Sequence, residues 1–225
     1  MSFDPFNQEA SEYMARQDML MQELLKKVED KGRIENPSDL PHECRQILIP
    51  TLINQGNSEW WGGAGYYECV KLAPTREEQF YMRMLGGQEQ KHGRIIAFGP
   101  LAGLGIDFFA QLAENVYVQK NVLDVFQHPD EFESWEDVIA FNVVQDGGAD
   151  IQLERFKRGP YGPWSDAIEQ LEAEEVGHRQ HGEHWVEKIS RTEEGRKDLR
   201  NVFALWLPRA LRAFGKPDAI SKSLP

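Results

Sequence analysis

Two short segments of the sequence pair a glutamate with a histidine three residues later: Glu89 with His92, and Glu175 with His178. On an α-helix, residues three apart lie on one face about a turn from each other, so both side chains of a pair can reach the same metal ion. Each pair lies inside a run rich in helix-forming residues. The spacing therefore predicts two helices that each present a carboxylate and an imidazole to a metal.

A single pair of this kind carries little information, because the chain has 37 Asp and Glu residues and six His. One such pair is readily explained as a solvated acidic helix face with an incidental histidine. Two pairs, each in the second half of a helical hairpin, are much less expected by chance. Two Glu-x-x-His elements with one carboxylate from each of two further helices form the ligand set of ferritin-like di-iron bundles.

The composition indicates one globular domain. The chain has 225 residues, of which 40% are hydrophobic, with six Trp and twelve Phe, so it can build a packed core. Its net charge of −12 argues against non-specific nucleic-acid binding. The two cysteines, Cys44 and Cys69, form no disulfide framework, no secretory signal is evident, and no apolar stretch is long enough for a membrane. We expect a cytoplasmic protein that binds neither nucleic acid nor membrane.

Turn residues divide the chain into helical runs, and no segment shows convincing β-alternation. The predicted helices cover about 8–31, 41–71, 75–97, 108–126, 135–157, 164–190 and 193–214. Thr75 and Ser134 are expected to cap helices, and Pro50 is expected to kink its helix or break off the first turns. We predict an all-α fold in a single domain, residues 1–225. A ferritin-like four-helix core at about 41–190 is flanked by the first and last helices.

The depth of each glutamate along its hairpin identifies the missing carboxylates. In an antiparallel hairpin, residues equally far from the turn lie at the same height. With the first turn at Pro74, Glu89 is level with Glu59, both roughly 22 Å from the hairpin end. With the second turn at Tyr161, Asp146 is level with Glu175. Asp146 lies among Val, Gly and Ala, where a buried charge is costly unless it is paired or bound to metal, although a solvent-facing position remains the alternative.

The predicted metal ligands are four carboxylates and two imidazoles: Glu59, Glu89, His92, Asp146, Glu175 and His178. Hard carboxylates with few nitrogens and no thiolates suit two iron ions, with manganese as the alternative. His181 and His184 follow at further three-residue steps and are expected to rotate away from the site. His42 and His128 lie near helix boundaries and are not expected to be ligands.

Several motifs resemble the catalytic-subunit family of phenylacetyl-CoA 1,2-epoxidase, and more distantly benzoyl-CoA epoxidase. They occur in family order between about Leu40 and Ser190. The matching motifs are Ser58-Glu59, Ala73-Pro74-Thr75, Gln88-Glu89-x-x-His92-Gly93, Ser134-Trp135-x-Asp137, Asp146-Gly147-Gly148-Ala149, Tyr161-Gly162-Pro163 and Glu174-Glu175-x-x-His178.

The resemblance implies a non-haem di-iron monooxygenase of phenylacetate catabolism that activates O2 and epoxidises or hydroxylates an aromatic acyl-CoA substrate. It implies electrons from a separate flavin/iron–sulfur reductase, and a homologous non-catalytic subunit or a homo-oligomer as assembly partner. The six carboxylate and imidazole residues match the family's ligands, which favours the catalytic subunit. A ferritin-like oxidase or rubrerythrin-like peroxidase, which needs no organic substrate, is the alternative. A third alternative is a scaffold subunit without activity.

Overall fold

The computed structural model describes residues 32–114 and 132–212, and within these ranges the fold is all-α, as predicted. The predicted helix at 8–31, the second part of the run at 108–126 and the turn with His128 lie outside the described residues. The helices are α1 (His42–Cys69), α2 (Arg76–Ile96), α3 (Phe108–Glu114), α4 (Trp135–Lys157), α5 (Gly162–Ile189) and α6 (Glu193–Arg212). Short 3₁₀ segments cover Pro37–Asp39 and Val70–Leu72, and a π-helical turn covers Ala97–Leu101.

Side-chain caps fix where α2 and α4 begin. The Thr75 hydroxyl oxygen accepts a hydrogen bond from the backbone N–H of Glu78 at 3.2 Å. Ser134 accepts from the N–H of Asp137, whose carboxylate accepts from the N–H of Ser134, each at 3.1 Å. This reciprocal capping box satisfies backbone donors that the first turn leaves without helical partners. Both predicted caps are confirmed.

Pro50 lies inside α1 without dividing it. The helix is continuous from His42 to Cys69, so the predicted loss of its first turns does not occur. Proline costs its helix one backbone donor and a clash with the carbonyl four residues earlier. Leu48 and Ile49 on its N-terminal side and Leu52 beyond it nevertheless all pack in the apolar core. These contacts on both sides of the proline favour one helix.

Glycines bring α1 and α2 into backbone contact. A Cβ on Gly63 would lie 2.6 Å from the carbonyl oxygen of Gly86, and a Cβ on Gly86 would lie 2.8 Å from that of Gly63. No side chain fits at these distances, so glycine is required for the close approach. The contact pairs the C-terminal third of α1 with the middle of α2 in an antiparallel hairpin.

The second hairpin joins α4 and α5. A Cβ on Gly182 would lie 2.7 Å from a methyl carbon of Val143, and Trp135 meets Trp185 edge to face with ring centroids 5.3 Å apart. The C-terminal helix α6 packs on α4, where the indole N–H of Trp206 donates to the Asp137 carboxylate at 3.0 Å. Among the described residues, no helix is long and apolar enough to cross a membrane.

Two apolar clusters occupy opposite ends of the paired hairpins. The first, the turn-161 cluster, lies near the turn at Tyr161 and includes Leu52, Ile96, Leu101, Leu153, Trp164 and Ile168. The second, the turn-74 cluster, lies near Ala73 and includes Tyr66, Met82, Leu85, Ile139, Phe141, Trp185 and Trp206. On each of the four long helices α1, α2, α4 and α5, the candidate site residues lie in sequence between members of the two clusters.

Candidate metal centre

All six predicted site residues are buried in the middle of the bundle. Their exposed fractions range from 0% for His92 to 9% for Glu59. α1 supplies Glu59, α4 supplies Asp146, and each Glu-x-x-His pair comes from α2 or α5. We call these six residues the polar layer, since apolar clusters lie on both sides. Isolated charges at this depth are strongly unfavourable, so the layer needs internal pairing, protons or metal ions.

A chain of short distances joins five of the six residues. His92 Nδ1 lies 2.9 Å from Oε1 of Glu175 and 3.5 Å from Oε2 of Glu59. His178 Nδ1 lies 3.5 Å from Oε2 of Glu175 and 3.1 Å from Oε1 of Glu89. Glu175 therefore presents one oxygen to each histidine. The histidine rings face each other with centroids 6.0 Å apart.

The donor atoms fit a metal ion better than they fit one another. Ligand atoms of Glu59, Glu89, His92 and Glu175 all lie within 4.8 Å of one another. The Nδ1 atoms of His92 and His178 are buried, and neither has an aligned hydrogen-bond partner despite the nearby oxygens. Buried polar nitrogens are normally satisfied. Two unsatisfied imidazole nitrogens among carboxylate oxygens match the ligand chemistry of iron or manganese.

Asp146 enters the layer through a different set of contacts. The Tyr66 hydroxyl lies 3.3 and 3.2 Å from its two carboxylate oxygens and donates to them. The side-chain amide of Asn142 donates to Asp146 Oδ2 and, at 3.2 Å, to the Tyr66 oxygen. Asp146 also interacts electrostatically with His178 and Glu175. Asp146 is therefore buried and within electrostatic range of His178, and it does not face solvent.

Glu59 is held by a relay from the far hairpin. The indole N–H of Trp164 donates to Gln55 Oε1 at 2.7 Å, and the Gln55 amide nitrogen lies 3.5 Å from Glu59 Oε1. Gln55 is buried one turn before Glu59 on α1. The relay orients the α1 carboxylate through a side chain that belongs to the turn-161 cluster.

The Nε2 atoms of both histidines, which we call the outer nitrogens, also have hydrogen-bond partners. His92 Nε2 lies 2.9 Å from Glu174 Oε2, and His178 Nε2 lies 3.0 Å from Gln88 Oε1. A hydrogen bond from Nε2–H leaves Nδ1 as the free lone pair, the tautomer that a metal ligand requires. Lys91 donates to the other oxygen of Glu174 at 2.7 Å.

Sequence reasoning did not assign roles to these supporting residues. Gln88 and Glu174 are quoted above only as motif letters, and Gln55, Tyr66 and Asn142 are not singled out. One signal was available: Gln88 and Glu174 each lie four residues before a predicted ligand histidine, so each shares a helix face with that histidine.

Burial and mutual repulsion shift the proton affinities of the metal-free layer. Desolvation raises the pKa of Glu89 well above its ordinary value, and repulsion from Glu175 and Glu59 adds to the rise. Desolvation likewise raises the pKa of Asp146, against the attraction of His178. Burial opposes charge on His92, but Glu175 and Glu59 outweigh it and raise its pKa to about 11. Without metal, protons partly neutralise the layer at neutral pH.

The pKa values of Glu175 and Glu174 are lowered. Burial acts to raise the pKa of Glu175, but the two histidines outweigh burial, so the pKa falls below its ordinary value. For Glu174, burial is outweighed by hydrogen bonds from Lys91 and His92, and its pKa is lowered too. Both carboxylates are therefore ionised at neutral pH, one inside the layer and one at its edge.

The other histidines lie away from the distance chain. His181 Nε2 lies 2.7 Å from Glu78 Oε2, and its ring stacks on Tyr81 with centroids 3.9 Å apart. His184 and His42 are exposed. The basic residues at the end of α4 form surface ion pairs, Lys157 with Glu172 and Arg158 with Glu154. His181 Nδ1 lies 3.5 Å from Oδ1 of Asn142, so this histidine borders the support of Asp146 without belonging to the distance chain.

A family model described as phenylacetic acid catabolic protein matches residues 14–224. The chain belongs to this family. The match covers both hairpins and so includes the whole polar layer. Among proteins with curated descriptions, none matches the chain. The phenylacetic acid catabolic family suggests an oxidoreductase of phenylacetate catabolism, and the buried Glu/His cluster fits a metal site in that role.

Proposed function

We propose that this phenylacetic acid catabolic protein is a non-haem di-iron monooxygenase acting on an aromatic acyl-CoA substrate by epoxidation or hydroxylation. The observation that supports it most directly is the pair of buried imidazole Nδ1 atoms that have no aligned partner in a carboxylate cluster. The proposal includes O2 as co-substrate, a separate flavin/iron–sulfur reductase, and a homologous non-catalytic subunit or a homo-oligomeric partner. It also includes a cytoplasmic location and a single domain over residues 1–225.

In this proposal the polar layer divides into two metal positions. The ligands are Glu59, Glu89, His92, Asp146, Glu175 and His178, with manganese as the alternative metal. Glu175 would contribute to both positions, because each of its two oxygens lies near a different histidine. When bound, the metal pair would supply the activation of O2 and the oxidation of the substrate.

The chain itself supplies position and a dry environment. Glu174 and Gln88 hold the histidine rings through their outer nitrogens, while Tyr66 and Asn142 hold the Asp146 carboxylate. The apolar clusters on both sides exclude water from the polar layer, which strengthens electrostatic interactions inside it. The four carboxylates and two imidazoles would hold the metal ions, and each carboxylate offers two donor oxygens.

Iron loading tests the centre. Metal-free protein reconstituted with Fe2+ without oxygen should retain two iron ions per chain after desalting. Glu175→Ala should lose both, because Glu175 contacts both histidines. Glu172→Gln, a surface substitution on the same helix, should retain both. A folded wild-type chain that retains far fewer than two ions would contradict the centre.

Turnover tests the reaction. Iron-loaded protein with O2, a flavin/iron–sulfur reductase and phenylacetyl-CoA should give a product that gains one oxygen atom from O2. Rapid consumption of hydrogen peroxide without any oxygenated product would instead favour the peroxidase alternative. Using both assays on one preparation separates an oxygenase from a rubrerythrin-like peroxidase.

A further inference from the structure

The two histidines of the polar layer are held by reciprocal contacts across the α2–α5 interface. Glu174 on α5 accepts from His92 on α2 at 2.9 Å, and Gln88 on α2 accepts from His178 on α5 at 3.0 Å. In both cases the acceptor immediately precedes a glutamate of the layer. The two contacts have nearly the same length.

The two acceptors differ in charge. Glu174 offers a carboxylate, which Lys91 fixes at 2.7 Å from the outer side. Gln88 offers a neutral amide oxygen to His178. Hydrogen bonds to an ionised acceptor are roughly twice as strong as those between neutral groups. The carboxylate therefore draws the Nε2 proton of His92 more strongly than the amide draws that of His178.

We propose that Glu174 and Gln88 are positioning residues that make the two metal positions unequal, so that the position served by His92 binds the first metal ion. The inference deepens the proposed function and rests on its two-metal centre. An imidazole whose outer N–H donates to a carboxylate is a more basic metal ligand. The same ring is also held more firmly, since its acceptor is itself anchored by Lys91.

The difference should appear as two binding phases. Metal-free protein titrated anaerobically with Co2+, and followed by its visible ligand-field absorption, should bind two ions in separate steps. Glu174→Gln should weaken the tighter step about 10–100-fold, the range found when such outer partners are removed. Gln88→Glu should strengthen the weaker step, and the double exchange Gln88→Glu/Glu174→Gln should reverse the order.

Ligand variants assign the steps. His92→Ala should eliminate the tighter step and His178→Ala the weaker one, each leaving uptake of a single ion. Glu172→Gln is the matched control. Glu172 lies on the surface of α5 and, like Glu174, pairs with a lysine of another helix, Lys157 of α4, but it is not a partner of either histidine of the polar layer. This substitution should leave both steps unchanged. Helix content measured by circular dichroism should be the same for all variants.

Three results would overturn the inference. These are a single binding phase in the wild type, a Glu174→Gln titration indistinguishable from that of Glu172→Gln, or loss of the tighter step in His178→Ala. In each of these cases the wild type can still take up two ions, so the proposed centre is not contradicted. Uptake of far fewer than two ions by folded wild-type protein would instead refute the centre and the inference together.

Discussion

In the middle of the bundle, six ionisable side chains lie one or two turns from residues that are wholly apolar. Leu85 on α2 and Ile139 on α4 are fully buried members of the turn-74 cluster, and Ile168 on α5 is a fully buried member of the turn-161 cluster. These residues stabilise the fold by leaving water. Glu89, on the same helix as Leu85, has a strongly raised pKa because burial opposes its charge.

The same helices carry both regions, but the stability that each region contributes depends on metal in a different way. The apolar clusters stabilise the bundle with or without metal. The polar layer is costly in the metal-free protein and becomes favourable only when its charges are balanced. Substitutions in the two regions should therefore respond to metal in different ways.

The largest effect is expected from the apolar side. Leu85→Ala should lower the free energy of unfolding by about 2–5 kcal/mol, the usual range for a buried leucine. The loss should be the same in metal-free and metal-loaded protein, because Leu85 contributes through packing. Urea unfolding monitored by circular dichroism measures it. Met84→Ala, at a site that is 39% exposed on the same helix, should change stability by about 0.5 kcal/mol or less.

Metal should stabilise the protein only through the polar layer. When the free concentration of Fe2+ or Mn2+ is about a hundredfold above the dissociation constant, binding to the folded state alone should raise the free energy of unfolding of the wild type by about 2.7 kcal/mol. Thermal unfolding without oxygen, with and without metal, measures the gain. Equal gains in the wild type and Glu175→Ala would show that the metal binds elsewhere.

Removing a charge from the layer should stabilise the metal-free protein. Glu89→Gln should raise the free energy of unfolding by about 1–2 kcal/mol at pH 7, since the folded wild type must either bury the Glu89 charge or take up a proton that the unfolded chain does not hold. A raised folded-state pKa means that the wild type loses stability as pH rises above the ordinary glutamate pKa of about 4.3. The gain should therefore vanish at lower pH. Urea unfolding at pH 7 and pH 4 compares the two proteins, and Glu172→Gln is the control.

The smallest effect concerns the support of Asp146. Tyr66→Phe removes the hydroxyl that donates to this carboxylate and should cost about 0.5–1.5 kcal/mol. Urea unfolding detects it in the metal-free protein. Tyr67→Phe, at a neighbouring residue that is 40% exposed, is the matched control. Equal losses of stability in the two variants would show that the buried Tyr66 hydroxyl contributes no more than the exposed Tyr67 hydroxyl.

Sequence patterns were sufficient for the two helix caps and for placing Glu59 and Glu89 at one depth. Thr75 and Ser134 are local signals whose caps form within a single turn. The depth argument requires only the helical rise and the turn positions, and Glu59 and Glu89 do lie together in the buried ligand-atom group. Both kinds of inference depend on geometry along one helix or one hairpin.

The contacts between hairpins could not be derived in this way. Whether Glu174 reaches His92, and Gln88 reaches His178, depends on the rotation of α2 and α5 about their axes and on side-chain rotamers. The continuity of α1 at Pro50 depends on packing from outside that helix. Local propensity does not contain this information.

The backbone contact between Gly63 and Gly86 has a consequence for how the centre can change. Glu59 and Glu89 each lie about one turn from this contact, so the gap between their helices is set by main-chain atoms. Replacing a ligand alters the chemistry inside a gap of fixed width. Altering the width itself would require substituting a glycine and displacing a whole helix, so the spacing of Glu59 and Glu89 is decided outside the proposed ligand set.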